Sequence, residues 1–136
     1  MDFNPQLSLL IQLSLIDNDL SPKEKNMIYA LGKANKIPEG EIDDAFNYHL
    51  GHSQHEMPSI TNISDEDKFE YLFNIVQLMK VDAQVYLSEI RFCQELAEKL
   101  GFKKRVIEEL SASIFSDPKL TSDKEGLKEK MMKYRI

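Results

Sequence analysis

The amino-acid sequence predicts an all-α fold of about seven helices: two pseudo-symmetric three-helix units and a C-terminal helix. Three observations predict this fold class. Apolar residues recur at helical spacing, no stretch alternates clearly enough to form a strand, and residues 5–46 align without a gap on residues 70–111. The chain has 136 residues and a hydrophobic content of 42%, so it can bury a core, and we predict a single domain over residues 1–136.

Start and stop signals place three helices in the first half of the chain. Asn4–Pro5 combines an N-cap residue with proline at the first helical position, and the segment that follows has almost no polar face. Ser21–Glu24 has the pattern of a capping box, and Pro38 breaks the helix that this box starts. The predicted helices cover residues 5–16, 22–35 and 39–50.

Four helices are predicted in the second half of the chain. Ser64 is an N-cap residue, and the three acidic residues that follow it face the positive end of the helix dipole. Residues 51–61, which connect the two halves, are rich in residues that favour turns. Gly101 provides a stop at the C-terminus of the fifth helix. The predicted helices cover residues 65–81, 87–100, 103–115 and 122–133.

The internal repeat contains seven identical positions, and most of them need only core packing to explain them. Two are acidic, and packing does not require a carboxylate at either position. These matches place the first three helices in correspondence with helices 4 to 6. The identical pairs are Leu7/Leu72, Gln12/Gln77, Leu13/Leu78, Asp17/Asp82, Glu24/Glu89, Leu31/Leu96 and Ile42/Ile107.

The two acidic stretches, Asp17–Glu24 and Asp82–Glu89, resemble the Asp-Gly-x-x-x-x-x-Glu signatures of TerB-like domains. This family is named for a tellurite-resistance protein, and a similar domain occurs in a membrane-anchored DnaJ-like co-chaperone. The resemblance covers most of residues 5–115. It implies an all-helical fold, acidic residues proposed to bind metal, and a bacterial stress-response or membrane-linked role with a protein partner. Asn18 and Ala83 stand at the family's Gly positions.

The resemblance, carried over by position, gives four candidate metal ligands. In a pseudo-symmetric pair of units, equivalent loops can lie close together, and a hard divalent cation such as Ca²⁺ or Mg²⁺ would relieve the repulsion between their carboxylates. The alternative is that these acids only satisfy helix ends and loop amides, as in a capping box. The candidate ligands are Asp17, Glu24, Asp82 and Glu89.

Other metal-binding patterns are less consistent with the sequence. An EF-hand that begins at Asp17 is excluded, because Pro22 and Ile28 occupy its glycine and bidentate glutamate positions. His49 and His52 could share a helical face and bind Zn²⁺. Gly51 lies between them, however, and indicates that the helix ends there. We therefore expect these histidines, with His55, to belong to a solvent-exposed connection.

No catalytic signature is present, so we predict that the chain is not an enzyme. Cys93 aligns with Ile28 of the first half and is predicted to be a core residue rather than a nucleophile. The phosphate-binding, nucleotide-binding and Ser-His-Asp patterns are all missing. The predicted function is a TerB-like accessory module that binds a divalent cation, and the alternative is a protein-interaction module whose acids are only structural.

Charge and cysteine content indicate where the chain acts and on what. The net charge of −6 disfavours nucleic acid as a partner. The single cysteine, the absence of a basic leader and the absence of a long apolar run favour the cytoplasm. Residues 119–136 carry six basic and three acidic residues, a net of +3, which leaves −9 on residues 1–118. A solvated terminal helix is the simplest interpretation of this segment, and docking on the acidic body or on a partner are the alternatives.

Overall fold

The computed structural model describes residues 4–16, 21–51, 63–81, 87–113 and 124–136. Within these ranges the protein forms seven α-helices and no strand, which confirms the predicted all-α fold class. The helices are α1 (Pro5–Leu15), α2 (Pro22–Ala34), α3 (Glu39–Leu50), α4 (Asp65–Met79), α5 (Leu87–Lys99), α6 (Val106–Ser113) and α7 (Lys124–Met132).

The start signals read from the sequence coincide with the observed helix starts. Ser21 and Ser64 each accept a hydrogen bond from a backbone N–H in the first turn of α2 and α4, and the predicted bounds of α3 are those observed. The largest difference is at α6, which begins at Val106 rather than at residue 103. The N–H of Lys103 is bonded to the carbonyl of Tyr134, at 2.7 Å, which joins the segment before α6 to the C-terminal segment.

The chain divides into two compact units, Met1–Ser59 and Ile60–Ile136. In unit 1, each of α1, α2 and α3 contacts the other two helices. In unit 2, α4, α5 and α6 do the same, and α7 packs on α6. The predicted order of helices within each repeat is therefore observed in each unit, while their superposition by a near-two-fold rotation stays a prediction.

In unit 1, the first helix is buried on nearly every side, and the other two helices are each buried along one stripe. Nine consecutive residues of α1, from Gln6 to Ser14, are buried, as the nearly complete lack of a polar face predicts. The buried stripe of α2 is narrow, because its members stand four residues apart on one face of the helix. They are Glu24, Ile28 and Gly32.

Four apolar residues that stand at helical spacing in α2 and α3 are not fully buried, and the half-buried Met27 is one of them. Leu31 is only half-buried and Ala34 is exposed, because both stand beside the α2 stripe rather than in it. Leu50 is 60% exposed, since the buried stripe of α3 ends one residue earlier, at His49. The core assignments of Leu13 and Ile42 are confirmed.

Unit 2 repeats this arrangement with a wider buried face on its second helix. Eight consecutive residues of α4, from Leu72 to Met79, are buried. The stripe of α5 again contains residues four apart, and Phe92 and Leu96 extend it on one side. The buried residues of α5 are Glu89, Phe92, Cys93, Leu96 and Ala97. Leu78 and Leu96 were both predicted to be deep in the core, and this is confirmed.

The C-terminal segment packs on unit 2 and is not a fully solvated helix. Leu127 and Met131 of α7 are buried, as predicted. The backbone then forms an isolated antiparallel bridge between Phe102 and Arg135. The side chain of Arg135 also reaches Asp65 of α4, with an N–O distance of 3.1 Å. The buried Leu127 and Met131 and the backbone bridge therefore hold residues 124–136 on unit 2, so docking on the body describes this segment better than a solvated helix does.

Candidate functional site

The two predicted ligands that the structure describes, Glu24 and Glu89, stand in the first turns of α2 and α5, helices of 13 residues that belong to different units. Ser21 is the N-cap of α2, and its Oγ accepts a hydrogen bond of 3.1 Å from the N–H of Glu24. Pro22 occupies the first helical position, where its missing N–H costs nothing. This confirms the N-cap half of the predicted capping box.

Glu24 and Glu89 are the third residues of α2 and α5, and each is only 7% exposed. A glutamate is rarely this buried unless its charge is compensated, because water no longer solvates the carboxylate. Neither residue is without an interaction partner in the structure. The partial positive charge at a helix N-terminus also favours a carboxylate in the first turn. Two acids that the repeat aligns are therefore equally buried at the same position of equivalent helices.

The buried stripe behind each glutamate explains how it comes to be buried. In α2 the stripe continues through Ile28 and Gly32, and in α5 through Cys93 and Ala97. Residues at this spacing lie on one face of a helix, so the glutamate is carried inward with the apolar residues behind it. The sequence prediction identified both glutamates but did not foresee their burial. The sequence signal that could have predicted their burial is the four-residue spacing that places each glutamate on the same helical face as the apolar residues behind it.

Cys93, one turn after Glu89, is a core residue as predicted. Its side chain is fully buried, and its Sγ lies 3.8 Å from the Sδ of Met79. Burial raises the pKa of the Cys93 thiol, and the nearby charge of Glu89 raises it further. A thiol that stays protonated is a poor nucleophile and a poor metal ligand, so Cys93 contributes packing rather than chemistry.

The two aspartates of the predicted site, Asp17 and Asp82, lie outside the described residues. Among the residues that the structure describes, no three acidic, histidine or cysteine side chains come together to hold a metal ion. The predicted ligand set includes Asp17 and Asp82, so it draws on residues outside the described ranges. Such a set contains only oxygen ligands, which fits Ca²⁺ or Mg²⁺ and not a soft metal.

The histidines of the alternative Zn²⁺ site are separated by the end of α3. His49 is buried in the last turn of that helix, with its ring edge-on to Tyr48 at a centroid distance of 5.3 Å. The expectation that His49 is exposed is therefore wrong, because it occupies the last position of the buried stripe of α3. His52 and His55 lie outside the described residues.

No helix in the described ranges combines the length and the apolar composition that crossing a membrane requires. Comparison of the chain with protein-family models, with curated proteins and with solved structures finds no match. The likeness to TerB-like domains therefore rests on the two acidic stretches.

Proposed function

We propose that this chain is a non-enzymatic, TerB-like accessory module of a bacterial stress response that binds a divalent cation, Ca²⁺ or Mg²⁺. The ligands are Asp17 and Glu24 in the first half, and Asp82 and Glu89 in the second. The observation that carries this proposal is the equal burial of Glu24 and Glu89 at aligned positions of α2 and α5.

A purely structural role explains one of these glutamates better than the other. Glu24 follows the N-cap Ser21, so it can complete a capping box. The aligned position in the second half is Tyr86, which has no short hydroxyl side chain for that motif. Burying a carboxylate costs free energy that an apolar residue of similar size would avoid. A cation that needs oxygen ligands gives a common reason for keeping both acids.

The experiment is a set of thermal melting curves with Ca²⁺ or Mg²⁺ in excess, compared with curves in a chelator. A cation that binds only the folded state should raise the free energy of unfolding by roughly 2.7 kcal/mol at a hundred times its dissociation constant. Each of Glu24→Gln, Glu89→Gln, Asp17→Asn and Asp82→Asn should lose most of that gain.

Matched controls are two exposed glutamates in the first turns of other helices, Glu39 of α3 and Glu108 of α6. Glu39→Gln and Glu108→Gln remove the same charge from a similar helical position and should keep the cation response. A wild-type protein that melts identically in cation and chelator would contradict the proposal. Equal losses in the controls would show that only net charge matters.

The alternative function is a protein-interaction module in which the acids are structural. It is favoured by the exposure of two large apolar side chains near the end of α3, Tyr48 at 40% and Leu50 at 60%. Under this alternative, Glu24→Gln and Glu89→Gln still lower the melting temperature, because the amide cannot replace the interactions of the buried carboxylate. Added cation, however, has no effect on the melting temperature of any variant.

A further inference from the structure

A concentration of positive charge lies where the C-terminal segment meets the connection between α5 and α6. Two backbone hydrogen bonds join these segments: Lys103 N–H to the Tyr134 carbonyl at 2.7 Å, and Ile136 N–H to the Gly101 carbonyl at 2.9 Å. We call the exposed basic residues of these two segments, together with the last residue of α5, the basic surface. They are Lys99, Lys103, Lys104, Arg105, Lys133 and Arg135.

The fold of the connection does not require these charges, as unit 1 shows. Gly101 and the aligned Lys36 both have positive φ, at 90° and 63°. The residue after each donates its N–H to the carbonyl five positions earlier, at 2.9 Å in unit 2 and 3.0 Å in unit 1. The positions that follow, Lys103–Arg105 in unit 2, are Pro38–Gly40 in unit 1. The same helix cap therefore forms without a run of basic residues.

Most of the basic surface is not neutralised by neighbouring acids. Lys104 pairs with Glu98 at 3.7 Å and Arg135 with Asp65 at 3.1 Å, and both pairs are exposed, where ion pairs are weak. The other four residues make no ion pair within the described part of the chain. In a protein of net charge −6, this is a local reversal of sign that faces solvent.

Apolar side chains are exposed beside these charges. Met132 is 38% exposed and Ile136 is 76% exposed, and they flank Lys133 and Arg135 in the chain. Basic residues interleaved with exposed apolar ones are typical of protein surfaces that lie on anionic lipid, because ammonium and guanidinium groups meet phosphates while the apolar groups enter the headgroup boundary. Nucleic acid is a poorer fit, because contacts with phosphates alone would leave the exposed Met132 and Ile136 without a role.

We propose that the basic surface binds the headgroups of an anionic phospholipid membrane, with Met132 and Ile136 directed at the lipid interface. A cluster of four to eight basic residues is the size that binds such a surface. The attraction falls off within a Debye length of about 8 Å at physiological salt, so the basic residues that face the membrane determine binding. The proposal is independent of the cation binding proposed for Asp17, Glu24, Asp82 and Glu89.

The test is co-sedimentation of the full chain with vesicles of phosphatidylcholine, with and without phosphatidylglycerol. Binding should require phosphatidylglycerol and should weaken as salt is added. The triple variant Lys103→Gln/Lys104→Gln/Arg105→Gln should lower the affinity on the order of a hundredfold. The control Lys23→Gln/Lys25→Gln/Lys36→Gln removes the same charge from exposed residues of unit 1 and should bind like wild type. Circular dichroism checks that both variants are folded.

Three outcomes would overturn the proposal. Equal binding to both kinds of vesicle, or equal losses in the two triple variants, would show that the basic surface is not the contact. Binding of duplex DNA, lost in the first triple variant, without any binding of vesicles would assign the surface to nucleic acid instead.

A spectroscopic measurement tests the orientation of the bound protein. The chain contains no tryptophan, so Met132→Trp introduces a single indole beside the basic surface. Its emission should shift to shorter wavelength with anionic vesicles, because the indole enters a less polar environment. An unchanged emission spectrum of the sedimented protein would contradict the placement of this face on the lipid.

Discussion

The second helices of the two units, α2 and α5, have the same length and the same C-terminal cap but bury faces of different width. Both have 13 residues, both bury a glutamate at the third position, and both end in the same hydrogen-bonded cap. α2 buries only a narrow stripe, whereas α5 also buries Phe92 and Leu96. Helix length and caps thus follow local sequence, while the width of the buried face depends on the tertiary packing of each helix.

The residue that the second helix presents to the third also differs between the units. A Cβ atom built at Gly32 of α2 would lie 2.6 Å from Cδ1 of Ile42, which is too close for two carbon atoms. The aligned residue of α5, Ala97, carries such a Cβ and is fully buried beside a third helix whose aligned residue is also isoleucine, Ile107. Unit 1 therefore has glycine where unit 2 has a buried alanine, and an alanine at position 32 would have to displace Ile42.

The largest expected effect distinguishes the two buried faces. Leu96→Ala should lower the free energy of unfolding on the order of 2–5 kcal/mol, because Leu96 is fully buried. Leu31→Ala, at the aligned position, should cost clearly less, because Leu31 is already half-exposed. Urea unfolding measures both changes. Equal losses would mean that α2 and α5 bury this face to the same extent.

The next effect concerns Gly32. Gly32→Ala gains helix propensity worth roughly 1 kcal/mol, but it overpacks Ile42, which typically costs about 1–3 kcal/mol, so we expect a net loss of stability. Ile42→Val removes the atom that clashes, and in the Gly32→Ala background it should cost less than it does alone. Additive losses in this double-mutant cycle would show that the two side chains do not meet.

A smaller effect should separate the starts of α2 and α5. Ser21→Ala removes an N-cap acceptor and should cost about 1 kcal/mol, and Glu24→Gln should destabilise α2 modestly. Tyr86→Ala, at the aligned position outside the described residues, should show no loss of this type. Equal capping losses at both positions, measured by chemical unfolding, would contradict the difference read from the sequence.

The last effect is a pH dependence that arises at Tyr29 of unit 1. Burial and a hydrogen bond from the Tyr29 hydroxyl to Asp43 raise the pKa of Tyr29 to about 12, from an ordinary value of 10.0. Because the folded state holds this proton to higher pH, its stabilising effect is complete below about pH 10 and is lost as the pH rises towards 12. In Tyr29→Phe the free energy of unfolding, measured by chemical unfolding, should fall less steeply over this pH range. An unchanged slope would contradict the prediction.

The sequence predicted the parts of the fold that depend on local chemistry. Helix starts at Ser21 and Ser64 depend on hydroxyl groups that accept neighbouring N–H bonds, and the stop at Gly101 depends on a positive φ. The half-exposed Leu31 and the buried His49 were not predicted, because each depends on which face of its helix other elements cover. Packing of that kind is not encoded in any short stretch of sequence.

The candidate site was predicted in part. The repeat identified Glu24 and Glu89, and the structure buries both of them at equivalent positions. Their burial was missed because an acidic residue is normally placed on the solvated face of a helix from its charge alone. Docking of the C-terminal segment was weighed only as an alternative, because its contacts with Asp65 and the α5–α6 connection join residues far apart in the sequence.

Isothermal titration calorimetry of Ca²⁺ and of Mg²⁺ into the chelator-treated protein is the most direct test of whether the proposed acidic ligands bind a cation. We expect saturable binding of at least one of these ions to the wild-type protein. The binding should be weakened strongly by Glu24→Gln and by Glu89→Gln and kept in Glu39→Gln. Binding that both buried-site variants retain, or no binding of either ion to the folded wild type, would show that the buried glutamates serve the fold alone.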